Sequence, residues 1–310
     1  MRALWLTAPG SLELREGPDP VPGPDEVLVR TLHTGISRGT EALVFRGGVP
    51  AAQAAEMRAP FQEGEFPAPV KYGYLNVGLL ESGQPVFCLY PHQDVYAVPA
   101  AAVVPVPPSV PPARAVLAGT VETAVNALWD AAPRVGDRIA VVGGGMVGCC
   151  VAALLACIPG VRVEVVDPLD RSVVAAWGAR WVLPGAASGE CDLVVHTSGT
   201  SAGLQQSLEL LGVEGEVVEL SWYGDRPVTV ALGGAFHPRR LAVRSSQVGM
   251  VAPARRARWS YADRMGLALR LLADARFDEL ITDSVPFASL PEVLPGILGE
   301  PSGLGVRVDY

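Results

Sequence analysis

Val141-Val142-Gly143-Gly144-Gly145-Met146-Val147-Gly148 is the stretch on which the fold turns. It follows an apolar run, Arg138 to Val142, that reads as a buried strand, and it opens an apolar run, Val147 to Cys157, that reads as a helix. Glycines at 143, 145 and 148 match the G-x-G-x-x-G spacing. A second apolar strand, Val163 to Val166, ends in Asp167, 19 residues beyond Gly148. A lone glycine match is weak, but strand, turn, helix and a strand-end acid together are what a dinucleotide site requires. Gly143 permits the tight turn, Gly145 lets backbone approach a pyrophosphate, and Gly148 lets helix and strand pack closely. Met146 and Val147 begin the helix whose unpaired N–H groups would face the phosphates. Asp167 would accept hydrogen bonds from ribose hydroxyls and repel a 2′-phosphate, which favours NAD over NADP. The lesser alternatives are an empty turn for the glycines and a cap on the next turn for Asp167. Arg171 is ambiguous: it suits a 2′-phosphate, the adenine face or solvent.

Strands alternate with helical stretches on both sides of this centre. Leu117 to Ala131, Arg171 to Trp177 and Ala202 to Leu211 read as helices, and Asp192 to His196, Glu216 to Leu220 and Leu241 to Arg244 as strands. That alternation predicts a doubly wound, parallel α/β sheet of the Rossmann kind. The first hundred residues differ, with short strand-like runs divided by breakers such as Gly17-Pro18-Asp19-Pro20. They predict an antiparallel, partly open β body, joined to the α/β part by the proline-rich run Val104 to Pro112. After the helical Tyr261 to Ala273, short strands follow up to Val308.

Composition excludes several classes. Of the 310 residues, 49% are apolar and 18% charged, which suits a packed globular chain. A formal charge of −8 argues against nucleic acid or anionic membrane as partner. No signal-peptide core precedes Pro9-Gly10, and the Val147 helix is too short to span a bilayer. Cys88, Cys149, Cys150, Cys157 and Cys191 form no C-x-x-C pair, so a reducing cytoplasm is the expected setting.

Taken in order, several segments resemble the medium-chain dehydrogenase/reductase superfamily, the zinc-type alcohol dehydrogenases and their kin. Thr34-Gly35-Ile36-Ser37-Arg38-Gly39-Thr40-Glu41 is similar to that family's Gly-Ile-Cys-Gly-Thr-Asp segment. Val135 to Gly143, Gly178-Ala179, Ser198-Gly199, Ser245-Ser246 and Leu280 to Phe287 fall in register with it. The resemblance implies a GroES-like catalytic domain of residues 1–118 and 262–310 around a Rossmann domain of residues 119–261. It also implies strand order 3-2-1-4-5-6, a nicotinamide cofactor, a small-molecule substrate and a homodimer. Thr197, Ser198 and Gly199 would pass the cofactor ribose, and Ser246 the nicotinamide.

The departures concern zinc. The family's metal ligands would fall at Ser37 or Arg38, at Tyr74 and near Gly119, none of which offers thiolate, imidazole or carboxylate. A member without zinc is therefore expected. Thr40 and Tyr74 become the leading candidates for handling charge on a carbonyl or alkoxide, with Glu41 and Glu122 behind them. Glu41, Glu122 and His92 have no ligand-like spacing. The expectation is a zinc-independent NAD(H) oxidoreductase acting on an alcohol or carbonyl. An NADPH-dependent quinone or enoyl reductase and a non-catalytic dinucleotide sensor are the alternatives.

Overall fold

A computed structural model describes residues 1–299 and 303–310. Two compact units emerge: Met1–Gly119 with Gly224–Arg226 and Met265–Tyr310, and Thr120–Tyr223 with Pro227–Arg264.

Three runs of elements succeed one another along the chain. The first comprises β1 (Arg2–Ala8), β2 (Ser11–Glu16), β3 (Glu26–Gly35), α1 (Arg38–Phe45), β4 (Glu63–Gly64), β5 (Val70–Lys71), β6 (Asn76–Leu80), β7 (Pro85–Cys88), β8 (Val95–Pro99), β9 (Val103–Pro105) and α2 (Pro112–Ala115). Next come α3 (Ala118–Ala131), β10 (Arg138–Val142), α4 (Met146–Leu155), β11 (Arg162–Val166), β12 (Arg180–Val182), β13 (Cys191–His196), α5 (Ser201–Leu210), β14 (Leu211–Glu219) and β15 (Ala242–Ser245). The last run is α6 (Tyr261–Leu271), β16 (Ile281–Pro286), α7 (Leu290–Gly299) and β17 (Gly305–Asp309).

The second unit is the doubly wound sheet. Its order, β12-β11-β10-β13-β14-β15, is 3-2-1-4-5-6, and every neighbouring pair is parallel. Val141, Val165, Val194, Val195, Val217 and Val218 are fully buried on its central strands. Each contributes roughly 1.5–3 kcal/mol on leaving water, which is why these strands read as unbroken apolar runs. The segment expected as a helix from Arg171 forms a 3-10 turn over Ser172–Trp177, stopped by Gly178 at φ 90°.

The first unit holds two sheets. One is β2-β1-β5-β4; the other is β16-β17-β3-β6-β7-β9, with β8 also on β3. The pairings are antiparallel except β16 with β17. Two elements differ from the sequence reading. α1 lies in a stretch to which the sequence reading assigns no element, and α7 lies where only short strands were expected, despite Pro295 inside it. Leu290 and Leu294 of α7 pack with Leu4, Ile36, Phe287 and Val308, so tertiary burial holds a helix that propensity alone disfavours. Lys71, the chain's sole lysine, is buried, its ammonium bonded to Glu63 Oε1 at 2.5 Å and Gln93 Oε1 at 2.6 Å. Among the described residues no helix is long and apolar enough to cross a membrane.

Candidate functional site

In the second unit, β10 runs into the glycine turn and α4 leaves it. Gly143 sits at φ 106°. A Cβ on Gly148 would lie 1.9 Å from the Gly143 carbonyl oxygen, so helix and turn meet at a distance only glycine allows. Thr197 locks the other side, its hydroxyl donating to Gly143 O at 2.6 Å and its N–H to Val142 O at 2.9 Å.

α4 begins at Gly145 with no side-chain cap, and a Cβ there would face open space. The first-turn N–H groups of Met146, Val147 and Gly148 thus present a positive helix end without a competing side chain. Asp167, at the end of β11, is buried and oriented. Gly144 N–H donates to its Oδ2 at 2.6 Å and Leu169 N–H to its Oδ1 at 2.8 Å. A carboxylate has about four lone-pair positions, so two remain for hydroxyl donors. Arg171 is buried with its stem over Gly144, and its Nε lies 3.9 Å from Asp167 Oδ1. An unblocked helix start, an open position at Gly145 and a fixed acceptor at the next strand end suit a dinucleotide.

Of the remaining cofactor candidates, Gly199 N–H donates to Ser221 Oγ at 3.1 Å, and the Ser198 hydroxyl meets His196 Nε2 at 2.6 Å. Ser246 gives its hydroxyl to Asp130 at 2.6 Å. Glu122 also belongs to this unit. Its Oε1 pairs with Arg264 Nε at 3.0 Å, and both side chains are buried. Burial pushes the Glu122 carboxyl up, against the opposing pull of Arg264.

In the first unit, α1 and the turn before β6 bring Ser37, Thr40, Glu41 and Tyr74 together. Tyr74 donates to Ser37 Oγ at 2.5 Å and is also hydrogen-bonded to Thr40. Burial pushes the Tyr74 phenol up, with Ser37 and Thr40 pulling the other way and the Glu41 charge adding to the rise. The phenol therefore stays protonated at neutral pH and acts as a donor. Glu41 is buried; Oε1 accepts from Ser37 N–H at 2.7 Å, and Oε2 lies 3.2 Å from His92 Nε2. His92 Nδ1 is 2.6 Å from the Thr34 hydroxyl, itself 3.4 Å from Tyr310 OH.

Sequence reasoning missed the Glu41–His92–Thr34 chain. The pair is 51 residues apart, and only the β-body pairing closes that gap. Of the positions that the resemblance sets at the zinc ligands, Ser37 and Tyr74 offer hydroxyls and Gly119 offers no side chain, a set that does not suit zinc. Among the described residues no group of three or more His, Cys, Asp or Glu side chains is placed to hold a metal.

No protein-family model and no curated protein sequence matches the chain. Solved structures do. Galactitol-1-phosphate dehydrogenase from Escherichia coli is 14% identical at TM-score 0.80, with 100% of each chain covered. A short chain alcohol dehydrogenase from E. coli CFT073, complexed with NADH, is 16% identical at TM-score 0.78, covering 100% of this chain and 99% of that one. A protein described as a zinc-binding dehydrogenase, from Sinorhizobium meliloti 1021 and bound to NADP, is 18% identical at TM-score 0.78, with the same coverage. The chain has the alcohol dehydrogenase fold over its whole length, a Rossmann sheet with a GroES-like β body. Identities this low carry the fold and nothing finer.

Proposed function

We propose that this chain is a zinc-independent, NAD(H)-dependent oxidoreductase acting on a small alcohol or carbonyl compound. The observation that carries the reading is the hydroxyl cluster of Ser37, Thr40 and Tyr74, in a chain whose α4 turn and Asp167 suit a dinucleotide. The nicotinamide, when bound, supplies or takes up the hydride. Met146, Val147 and Gly148 hold the pyrophosphate by backbone N–H groups, and Asp167 holds the ribose. Thr197, Ser198, Gly199 and Ser246 line its path. Tyr74, kept protonated by burial, donates to the substrate oxygen, and Thr40 orients the phenol. Glu41, coupled to His92, is the carboxylate that can exchange a proton, since Glu122 is committed to Arg264. A homodimer through the open edge at β15, whose four residues are exposed, belongs to the same reading.

Purified, chelator-treated protein should turn over members of an aldehyde, ketone and alcohol panel with NADH or NAD. In that assay Tyr74→Phe should lower kcat about a hundredfold or more while leaving KM and NADH affinity near wild type. Activity that appears only when zinc is added would remove the hydroxyl cluster from the chemistry.

The cofactor preference has its own check. Asp167→Ser takes away the ribose acceptor and the charge that repels a 2′-phosphate. NADH affinity should fall about tenfold and NADPH affinity should rise, both read by calorimetry. An unchanged NADH affinity would detach Asp167 from the ribose. If neither nucleotide binds the wild-type chain at millimolar concentration, the oxidoreductase reading fails.

A further inference from the structure

β13 and β14 lie side by side and parallel, with His196 and Glu219 as register partners at their C-terminal ends. Leu193 to Val195 lead apolar into His196 and Val217-Val218 into Glu219, and ends of parallel strands are where α/β sheets place ligand chemistry. His196 is fully buried. Its Nδ1 lies 2.6 Å from Glu219 Oε2, and its Nε2 lies 2.6 Å from the hydroxyl of the half-buried Ser198.

The carboxylate fixes the tautomer. With Glu219 accepting from Nδ1–H, Nε2 is left as the acceptor facing the Ser198 hydroxyl. Glu219 is itself held, by Ser221 N–H on Oε1 at 2.7 Å and the Tyr223 hydroxyl on Oε2 at 2.8 Å. Burial pushes its carboxyl up, but the hydrogen bonds from His196 and Ser221 outweigh this and keep it below the usual range. The serine is confined too. A Cβ on Gly203, in the first turn of α5, would fall 2.1 Å from Ser198 Oγ, so glycine there makes room for the hydroxyl. Thr200 Oγ1 lies 3.0 Å from the same oxygen.

A serine hydroxyl on the acceptor nitrogen of an imidazole, with a carboxylate on the other nitrogen, is the arrangement that activates serine as a nucleophile on unrelated folds. We propose that Ser198, His196 and Glu219 form such a triad and give the chain a second activity, hydrolysis of small activated esters by acyl transfer through Ser198. Ser198 Oγ adds to the ester carbonyl carbon while its proton passes to His196 Nε2. The ester C–O bond breaks, and that proton leaves on the alcohol oxygen. Water then adds to the acyl-serine and gives a proton to Nε2. The carboxylic acid departs as Ser198 Oγ takes the proton back. Ester and water become acid and alcohol with no change of oxidation state, and no nucleotide takes part.

The test uses the full chain without nucleotide. Incubation with p-nitrophenyl acetate should give a burst of p-nitrophenol followed by steady hydrolysis. A fluorophosphonate should leave one adduct, mapped by peptide mass to Ser198. Ser198→Ala, which loses one small hydroxyl, should keep the wild-type melting temperature and lose the burst, the adduct and the hydrolysis by about a hundredfold or more. Glu219→Gln should slow acylation and alter its pH profile, a readout that a scaffold role would not move. Adducts only on other residues, no adduct, or hydrolysis by Ser198→Ala at the wild-type rate would overturn the triad. None of these outcomes depends on whether the chain binds NADH.

Discussion

Gly148→Ala should cost the protein both its nucleotide and several degrees of melting temperature. The added methyl would start 1.9 Å from the Gly143 carbonyl oxygen and 2.9 Å from the Thr197 hydroxyl. Backbone cannot fold away as a flexible side chain does, so α4 has to move off the turn. Overpacking of this kind costs about 1–3 kcal/mol. A domain of this size loses roughly 2–4 °C for each of those. The larger loss is functional, because the displaced turn is the one whose N–H groups would hold the pyrophosphate. NADH affinity should fall well over tenfold by calorimetry. Gly189→Ala, where a Cβ meets nothing within 4 Å, is the control and should match wild type in both measurements. A Gly148→Ala protein that melts and binds like wild type would show that helix and turn do not meet so closely.

Arg264→Met should be the most destabilising of these changes. Arg264 is 1% exposed, and its guanidinium serves Glu122 Oε1 at 3.0 Å, Asn126 Oδ1 at 2.5 Å, Val248 O at 2.5 Å and Met250 O at 3.3 Å. Methionine fills part of the volume and serves none of them. Two backbone carbonyls and the Asn126 side-chain carbonyl lose a donor, and Glu122 is left as a buried charge without its counterion. Breaking one side of a buried pair costs about 3–5 kcal/mol, measurable by urea unfolding.

The loss should depend on pH in a fixed direction. Burial already pushes Glu122 above the ordinary carboxylate value while Arg264 pulls it down, and the variant removes the pull. A carboxyl whose folded pKa lies above its unfolded one stabilises the fold below the unfolded value and loses that contribution as pH rises through the folded value. The deficit of Arg264→Met should therefore shrink as pH falls from about 8 toward about 5. A deficit that grows on acidification would mean that Glu122 is not the group left stranded.

The Rossmann half was legible because its signals are local. A buried strand, a glycine turn and an apolar helix lie within Arg138–Leu155, and each element packs on its sequence neighbours. α1 and α7 were not legible, for the opposite reason. Gly39 sits in the first turn of α1, and Pro291 and Pro295 lie in α7, so local preference points away from helix at both. Leu43, Val44, Leu290 and Leu294 find burial only when distant strands arrive. Site residues follow the same rule. The glycines and Asp167 announce themselves by spacing, and the hydroxyls of Thr40 and Tyr74 stood out through a resemblance. Glu41–His92, 51 residues apart, joins a helix to a loop, and His196–Glu219, 23 apart, is a coupling made by strand register. The second left a trace in the sequence: two apolar runs, each ending in one polar side chain.

The place of β17 bears on how the chain is made. It lies inside its sheet, between β16 and β3, where Arg307, Val308 and Asp309 pair with Gly35, Thr34 and His33. During synthesis that margin of β3 stays bare while the whole Rossmann unit leaves the ribosome, which at about 5–20 residues per second takes some tens of seconds or less. The N-terminal portion thus reaches its final form after the middle portion. Nascent chains halted before β17 should be the ones most sensitive to protease and most in need of a chaperone.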